Sequence, residues 1–293
     1  MGLDLHTHSR YSDGVLTPEA LCALAVKKKV RTLALCDHDT TEGLRPFLDA
    51  AQALCAQGLE LNALPALELS SGSDGRTHIL GYGVRMDDVT LQTELRNLRK
   101  TRAGRGETML QALRGLGVEI PPAYLPDPTV VAMPFGRPHV ARALVRMGIV
   151  NTVEQAFSRY LAEGRPAYVP LEHLSPSQAV TLLRRAGAVP VLAHPMRMGL
   201  ESQTLEALLT ALQASGLAGV EVYHPSAWRQ VVRQLDAMAR RHGLLVTGGS
   251  DFHGDRDSRT HLGGLPAGWR HWAEDLQALS GAMADAARNQ SVS

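Results

Sequence analysis

The chain of 293 residues has little cysteine, little net charge and no long apolar run, and each shortage excludes something. Its three cysteines, Cys22, Cys36 and Cys55, include no C-x-x-C pair, and an odd count builds no disulfide framework. A reducing cytoplasm is the expected setting. Cys36 lies inside an apolar run and reads as a small core residue. No apolar stretch approaches the roughly 18 residues of a membrane helix, so no span is expected. The first residues lack a basic segment followed by a long apolar one, so no export leader is expected either. Net charge is +1, and no global basic field argues for a nucleic-acid coat. Long repeats and low-complexity segments are missing, and nothing in the sequence points to an obligate protein partner.

What is present is the composition of an ordered domain: hydrophobic residues are 44% and charged residues 20%, enough apolar material for a sizeable core. Short apolar runs alternate with helical patterns. GLDLHTH reads as a strand. TPEALCALAVKKK reads as a helix capped by Thr17, with Pro18 in its first turn. RTLALCDHD is a second strand, and LRPFLDAAQALCAQG a helix ending at Gly58. LELNALPALELS and THILGYG follow. Later, SPSQAVTLLRRAG leads to AVPVLAHP, LESQTLEALLTALQASG to LAGVEVYHP, and SAWRQVVRQLDAMARRHG to LLVTGGSDFH. The alternation predicts a parallel sheet covered by helices and closed as an α/β barrel. Trp228, Trp269 and Trp272 fall in helical patterns and read as core.

Residues 87–166 break this rhythm and read as an inserted helical domain, leaving 1–86 and 167–293 for the barrel. The insertion is locally basic. From Arg96 to Arg146 it has nine Arg or Lys against three acids, while the whole chain is nearly neutral. The bland reading is a solvated helix face; the sharper one is a lid for an anionic ligand.

Histidine carries the chemical signal. His6 and His8 are two residues apart at the end of the first strand, and alternation points them the same way. Two imidazoles on one side of a strand end suit a metal better than a packed core. Other candidates also fall where runs end: Asp13, Asp37, His38, Glu68, His78, His194, Asp251 and His253. In barrels, the C-terminal strand ends carry the chemistry. His224 ends VEVYH at the same edge. His173, His242, His261 and His271 read as surface or structural.

The set DLHTHSRYSDG, ALCDHDT, ALELS, HILGYG, LAHP and SDFH resembles the PHP (polymerase and histidinol phosphatase) family of metal-dependent phosphoesterases. The resemblance implies a distorted (β/α)7 barrel with two or three divalent ions at its mouth. One ion would take His6, His8, Glu68 and Asp251. A second would share Glu68 and add His78 and His194. A third would take Asp13, His38 and His253. Mixed imidazole and carboxylate donors suit Mn²⁺, the expected ion, with Zn²⁺ or Fe²⁺ as alternatives. Glu68 is expected to be essential, because the two ions sharing it would hold the attacking hydroxide.

The insertion segments GRPHVARALVRMG and EQAFSRYLAEGRPAYVP resemble the subgroup that dephosphorylates nucleoside 3′,5′-bisphosphates and trims short RNA from its 5′ end. The expected substrate is therefore a small phosphorylated nucleotide. Rival expectations are 5′→3′ exonuclease action on short RNA, histidinol-phosphate hydrolysis, or a non-catalytic metal-binding module. Arg137, His139, Arg197 and Ser70 are candidate phosphate contacts. Asp37 is a candidate partner of a ligand histidine, and Asp39 reads as a turn or helix-entry residue. His224 is a candidate general acid or further phosphate contact.

Overall fold

In a computed structural model, the chain is described at residues 2–72, 77–126, 135–170, 174–254 and 260–290. His173, read above as a surface residue, lies outside the described residues. Seven strands form one sheet in sequence order: β1 (Leu3–Thr7), β2 (Thr32–Leu35), β3 (Asn62–Ser71), β4 (Thr77–Tyr82), β5 (Val189–Leu192), β6 (Gly219–Tyr223) and β7 (Leu245–Gly248). The helices are α1 (Pro18–Lys27), α2 (Leu44–Ala56), α3 (Val89–Gly115), α4 (Arg137–Arg146), α5 (Val153–Ala156), α6 (Pro176–Arg185), α7 (Ser202–Ser215), α8 (Arg229–Arg241) and α9 (Trp272–Gln290). No helix among the described residues is long and apolar enough to cross a membrane.

Local chemistry explains the helix starts. Thr17 accepts from the Ala20 N–H, and Pro18 opens α1 where its missing N–H costs nothing. Ser175 and Gln178 close a reciprocal capping box on α6. Each barrel helix buries one stripe: Leu21, Cys22 and Ala25 on α1, and Val232, Leu235, Met238 and Ala239 on α8. Fully burying one such leucine stabilises by about 1.5–3 kcal/mol.

The sheet is not parallel throughout. β4 runs antiparallel to both β3 and β5. Ser71 and Thr77 are too close in sequence for a helical crossover, so these two strands pair antiparallel. The remaining neighbours pair in parallel. The outer strands then meet. Thr7 bridges Phe252, just past β7; the His8 N–H donates to the Phe252 carbonyl at 2.9 Å, and the Phe252 N–H donates to the His6 carbonyl at 3.4 Å.

Two compact units divide the chain: residues 1–92 with 174–293, and residues 93–173. The first turn of α3 stays with the barrel because the Gln92 amide donates to Thr41 Oγ1 at 2.8 Å and to the Met86 carbonyl at 2.7 Å. In the second unit, Met109, Leu113, Val140, Leu144, Leu161 and Ala167 share a core of their own. Gly106, inside α3, makes room for Phe135: a Cβ there would lie 2.9 Å from that ring. It is a packing position within a continuous helix.

The core reading holds for Trp269 and fails for Trp228. Trp269 is buried, stacks on Tyr223 at 4.7 Å and donates to Asp275. Trp228 is 82% exposed, because it precedes α8 as its capping residue and lies off the buried stripe.

Candidate metal centre

Strand direction brings the ends of β1, β2, β3, β5, β6 and β7 to one edge, and the histidines and carboxylates meet there. Glu68, fully buried in β3, is their hub. Its Oε1 faces His78 Nδ1 at 2.8 Å and His194 Nε2 at 2.9 Å. Its Oε2 faces His6 Nε2 at 3.1 Å, His8 Nε2 at 3.3 Å and His38 Nδ1 at 3.3 Å. Asp251 adds Oδ1, 3.0 Å from His8 Nε2 and 3.5 Å from His6 Nε2.

Three sets of donor atoms stand close enough to share an ion: His6, His8, Glu68 and Asp251; His38, Glu68 and His78; and His8, Asp13, His38 and His253. In the third set, Asp13 Oδ1 lies 3.1 Å from His253 Nε2. His8 and His38 each belong to two sets, so the groups adjoin. His194 reaches the centre through Glu68 Oε1.

Proton positions test whether these residues fit a cation. Glu221, buried and ionised, accepts from His6 Nδ1 at 3.0 Å, so that nitrogen carries the proton. The Nε2 lone pair of His6 then faces Glu68 and Asp251. His253 repeats the arrangement: Nδ1 donates to the Asp251 carbonyl at 2.8 Å, leaving its Nε2 lone pair toward Asp13. Lone pairs opposite carboxylates repel unless a proton or a cation lies between them. Donors about 2.1 Å from one ion stand about 3.0–3.4 Å apart, close to the 3.0–3.5 Å between imidazoles and carboxylates of the first set. An acceptor behind each imidazole is the usual way a protein orients a metal ligand. The residues fit divalent ions.

The electrostatics agree. Burial alone would neutralise these carboxyls, yet His38, His6 and His78 hold Glu68 well below the usual carboxylate range. Burial likewise acts against ionised Asp251 and Asp13, and neighbouring histidines hold both well down. Burial lowers His38 to about 4, so its ring is neutral with a lone pair to give. Burial disfavours protonated His6, but Glu68, Glu221 and Asp251 outweigh it and raise its pKa well above the usual value. Protons and metal ions compete for the same lone pairs.

Backbone strain accompanies the cluster. Asp39, His194 and Asp251 hold φ of 51°, 27° and 53°. Such conformations cost about 1–3 kcal/mol each and persist only where neighbours brace them. The His194 N–H donates to Glu221 Oε2 at 2.7 Å. Asp39 accepts from the Ser70 N–H at 2.8 Å and from its hydroxyl at 3.0 Å. Gly249 is required for close approach, since a Cβ there would sit 2.1 Å from the His6 Cβ.

Several candidates take places the sequence does not reveal. Ser70 is buried and spends its one hydroxyl proton on Asp39, which removes it as a phosphate contact. Asp37 bonds no ligand histidine; it accepts from the Ser9 N–H and from the hydroxyls of Ser9 and Ser12. Ser12 Oγ in turn lies 3.5 Å from His8 Nδ1, so Asp37 acts on the histidine at one remove. Arg197, partly exposed, donates to Asp251 Oδ2 at 2.5 Å. His224 is buried and its Nδ1 accepts from the Ser226 N–H at 3.0 Å. Its proton is therefore on Nε2, 3.9 Å from Asp251 Oδ2. The Ser226 contact thus fixes the ring in the tautomer that carries its proton on Nε2.

In the second unit, Arg137 opens α4 with its guanidinium 5.9 Å from the Phe157 ring centre and 5.8 Å from that of Tyr168. His139 Nδ1 accepts from the Gly136 N–H at 3.1 Å, which fixes the ring.

Two buried carboxylates around the centre escape the motif reading. Glu221 orients His6 and His194. Asp4, also buried, accepts from the Ser250 N–H at 2.8 Å, the Ser250 hydroxyl at 2.5 Å and the Gly263 N–H at 2.8 Å. Both are acids within apolar strands, where an ionisable residue is rare unless partnered. That is the signal that could have found them.

A PHP domain model matches residues 4–102. The chain is 33% identical over 253 residues to the 5′-3′ exoribonuclease Rnm of Escherichia coli (strain K12), covering 85% of this chain and 84% of that protein. It is also 33% identical over 266 residues to the 3′,5′-nucleoside bisphosphate phosphatase of Chromobacterium violaceum, covering 89% and 90%. The solved structure of an amidohydrolase from Chromobacterium violaceum, with bound sulfate and no metal, matches with a TM-score of 0.79 at 33% identity, covering 94% and 96%. With this site on this barrel, the chain belongs to the PHP family and is a metal-dependent phosphoesterase.

Proposed function

We propose that the chain hydrolyses the 3′-phosphate of nucleoside 3′,5′-bisphosphates, such as adenosine 3′,5′-bisphosphate, to release phosphate. The observation that carries the reading is Glu68, a buried carboxylate with two imidazoles on one oxygen and three on the other. His6, His8, Glu68 and Asp251 would hold one divalent ion; Glu68 with His78 and His194 a second; Asp13, His38 and His253 a third. When bound, such ions supply an activated water and offset charge on the phosphoryl oxygens.

The chain's own residues supply the rest. Glu221 and the Asp251 carbonyl keep His6 and His253 in the tautomers that present lone pairs. His224 offers a fixed Nε2–H to an oxygen of the transferring phosphoryl group. Arg197 presents a planar fork of donors beside Asp251. Arg137, always charged, and His139 join the proposal by their chemistry as contacts for the second phosphate. The name of the Chromobacterium violaceum relative supports this substrate.

A second reading, 5′→3′ removal of nucleotides from short RNA, is favoured by the name of the Escherichia coli relative at the same identity. Product analysis separates the two. Mn²⁺-loaded protein is expected to release phosphate from adenosine 3′,5′-bisphosphate and to leave AMP and 3′-AMP nearly untouched. Equal turnover of all three, or none, overturns the bisphosphate reading. Nucleoside monophosphates released from short RNA establish the second. Glu68→Gln is expected to abolish either activity in a folded protein.

A further inference from the structure

Between α8 and the residues after β7, the barrel unit holds a cavity of about 570 Å³ outside the metal centre. Arg229, Arg233, Arg270 and His271 line it, with Asp236 among them. The three arginines pair with no carboxylate among the described residues. Asp236 is already committed to Arg240 at 3.1 Å. The cavity therefore keeps a strong positive excess although the chain is nearly neutral.

Its position follows from the chain path. Tyr223 ends β6 and belongs to the cavity wall, and His224 is the next residue. The turn closed by the Ala227 N–H on the His224 carbonyl leads directly to Trp228 and Arg229. Arg229 lies five positions after His224, a reach of at most about 18 Å. Trp228, the residue before Arg229, is 82% exposed. Arg229 and Arg233 are four apart on α8 and share a face, while Arg270 comes from the segment after β7. Three cations on one cavity, with an exposed indole next in sequence to the first of them, suit several backbone phosphates and a base.

We infer that this cavity and Trp228 bind the nucleotides that follow the 5′-terminal one in a short single-stranded RNA. The indole stacks on a base, and Arg229, Arg233 and Arg270 meet backbone phosphates. The inference rests on the second reading above, in which RNA is a substrate. Stacking tolerates any base and phosphate contacts carry no sequence information, so this subsite selects for length and not for sequence.

The test compares a hexaribonucleotide with adenosine 3′,5′-bisphosphate on Mn²⁺-loaded protein. Arg229→Ala/Arg233→Ala/Arg270→Ala is expected to lower kcat/KM for the RNA at least tenfold through KM, with bisphosphate turnover within twofold of wild type. The slope of log affinity against log salt should flatten by about 2, at about 0.7 for each phosphate no longer neutralised by an arginine. Trp228→Ala is expected to weaken RNA binding by about five- to a hundredfold, and Trp228→Phe to restore most of it. Wild-type RNA kinetics in the triple variant overturn the inference and leave the phosphatase reading standing. If wild-type protein leaves RNA uncut, binding of the same RNA to Glu68→Gln protein decides: unchanged affinity on adding the three arginine substitutions overturns it.

Discussion

Glu221→Gln is nearly isosteric, yet it should disarm the metal centre. Glu221 is buried in β6 and takes two donors, His6 Nδ1 at 3.0 Å and the His194 N–H at 2.7 Å. A carboxylate accepts both; an amide has one acceptor and one donor. If the amide oxygen faces His6, the NH₂ group confronts a backbone N–H, and a buried donor goes unpaired at about 1–3 kcal/mol. If the oxygen faces His194, the NH₂ group confronts His6, whose proton must move to Nε2. The second arrangement is cheaper, and it removes the lone pair His6 presents to Glu68 and Asp251. Losing such an orienting partner typically weakens metal binding about 10- to 100-fold, or about 1.4–2.7 kcal/mol. Competition with a chromophoric chelator measures this for Mn²⁺ and Zn²⁺, and circular dichroism checks the fold. A folded variant with wild-type metal affinity and turnover would refute the tautomer argument.

Three further outcomes follow from the same geometry. His224→Ala should lower turnover about 10- to 150-fold, the worth of a hydrogen bond to a charged group, while His224→Gln retains a donor and much of the rate; equal losses in both would mean that the ring transfers a proton. Gly249→Ala should lower Tm and metal content together, because the new Cβ overlaps His6 at a cost of about 1–3 kcal/mol or more; an unchanged melting curve would contradict the contact. Native protein at pH 8 should expose one reactive thiol of three to a disulfide reagent, since Cys22 and Cys36 are buried and burial raises Cys22 to about 12; two or three fast thiols would show the packing to be looser.

Much of this centre is legible in the sequence because its histidines and carboxylates sit where apolar runs stop, and strand ends converge in a barrel. His6 and His8 are readable from period-two alternation alone. Helix starts at Thr17 and Ser175 are readable from capping chemistry. Strand direction is not written in periodicity, so β4 reads like its parallel neighbours; only the short link after Ser71 holds the clue. Roles fixed by partners distant in sequence are also hidden. Ser70 looks like a substrate contact until Asp39 is seen to hold it, and Asp37 looks like a histidine partner until Ser9 and Ser12 intervene. His224 is readable as a site residue, but its tautomer depends on a backbone N–H two positions on. Trp228 scores as helical and apolar, yet its place ahead of α8 turns it to solvent.

The seam of the barrel has a consequence for the whole molecule. β1 and the segment after β7 are joined through Phe252 by two backbone hydrogen bonds, one of them long. His6 and His8 flank that join on one side, Asp251 and His253 on the other. An ion shared by His6, His8 and Asp251 would therefore be a rivet across this join. Whatever loads the centre would also fasten the hoop, tying the protein's shape to its capacity for chemistry.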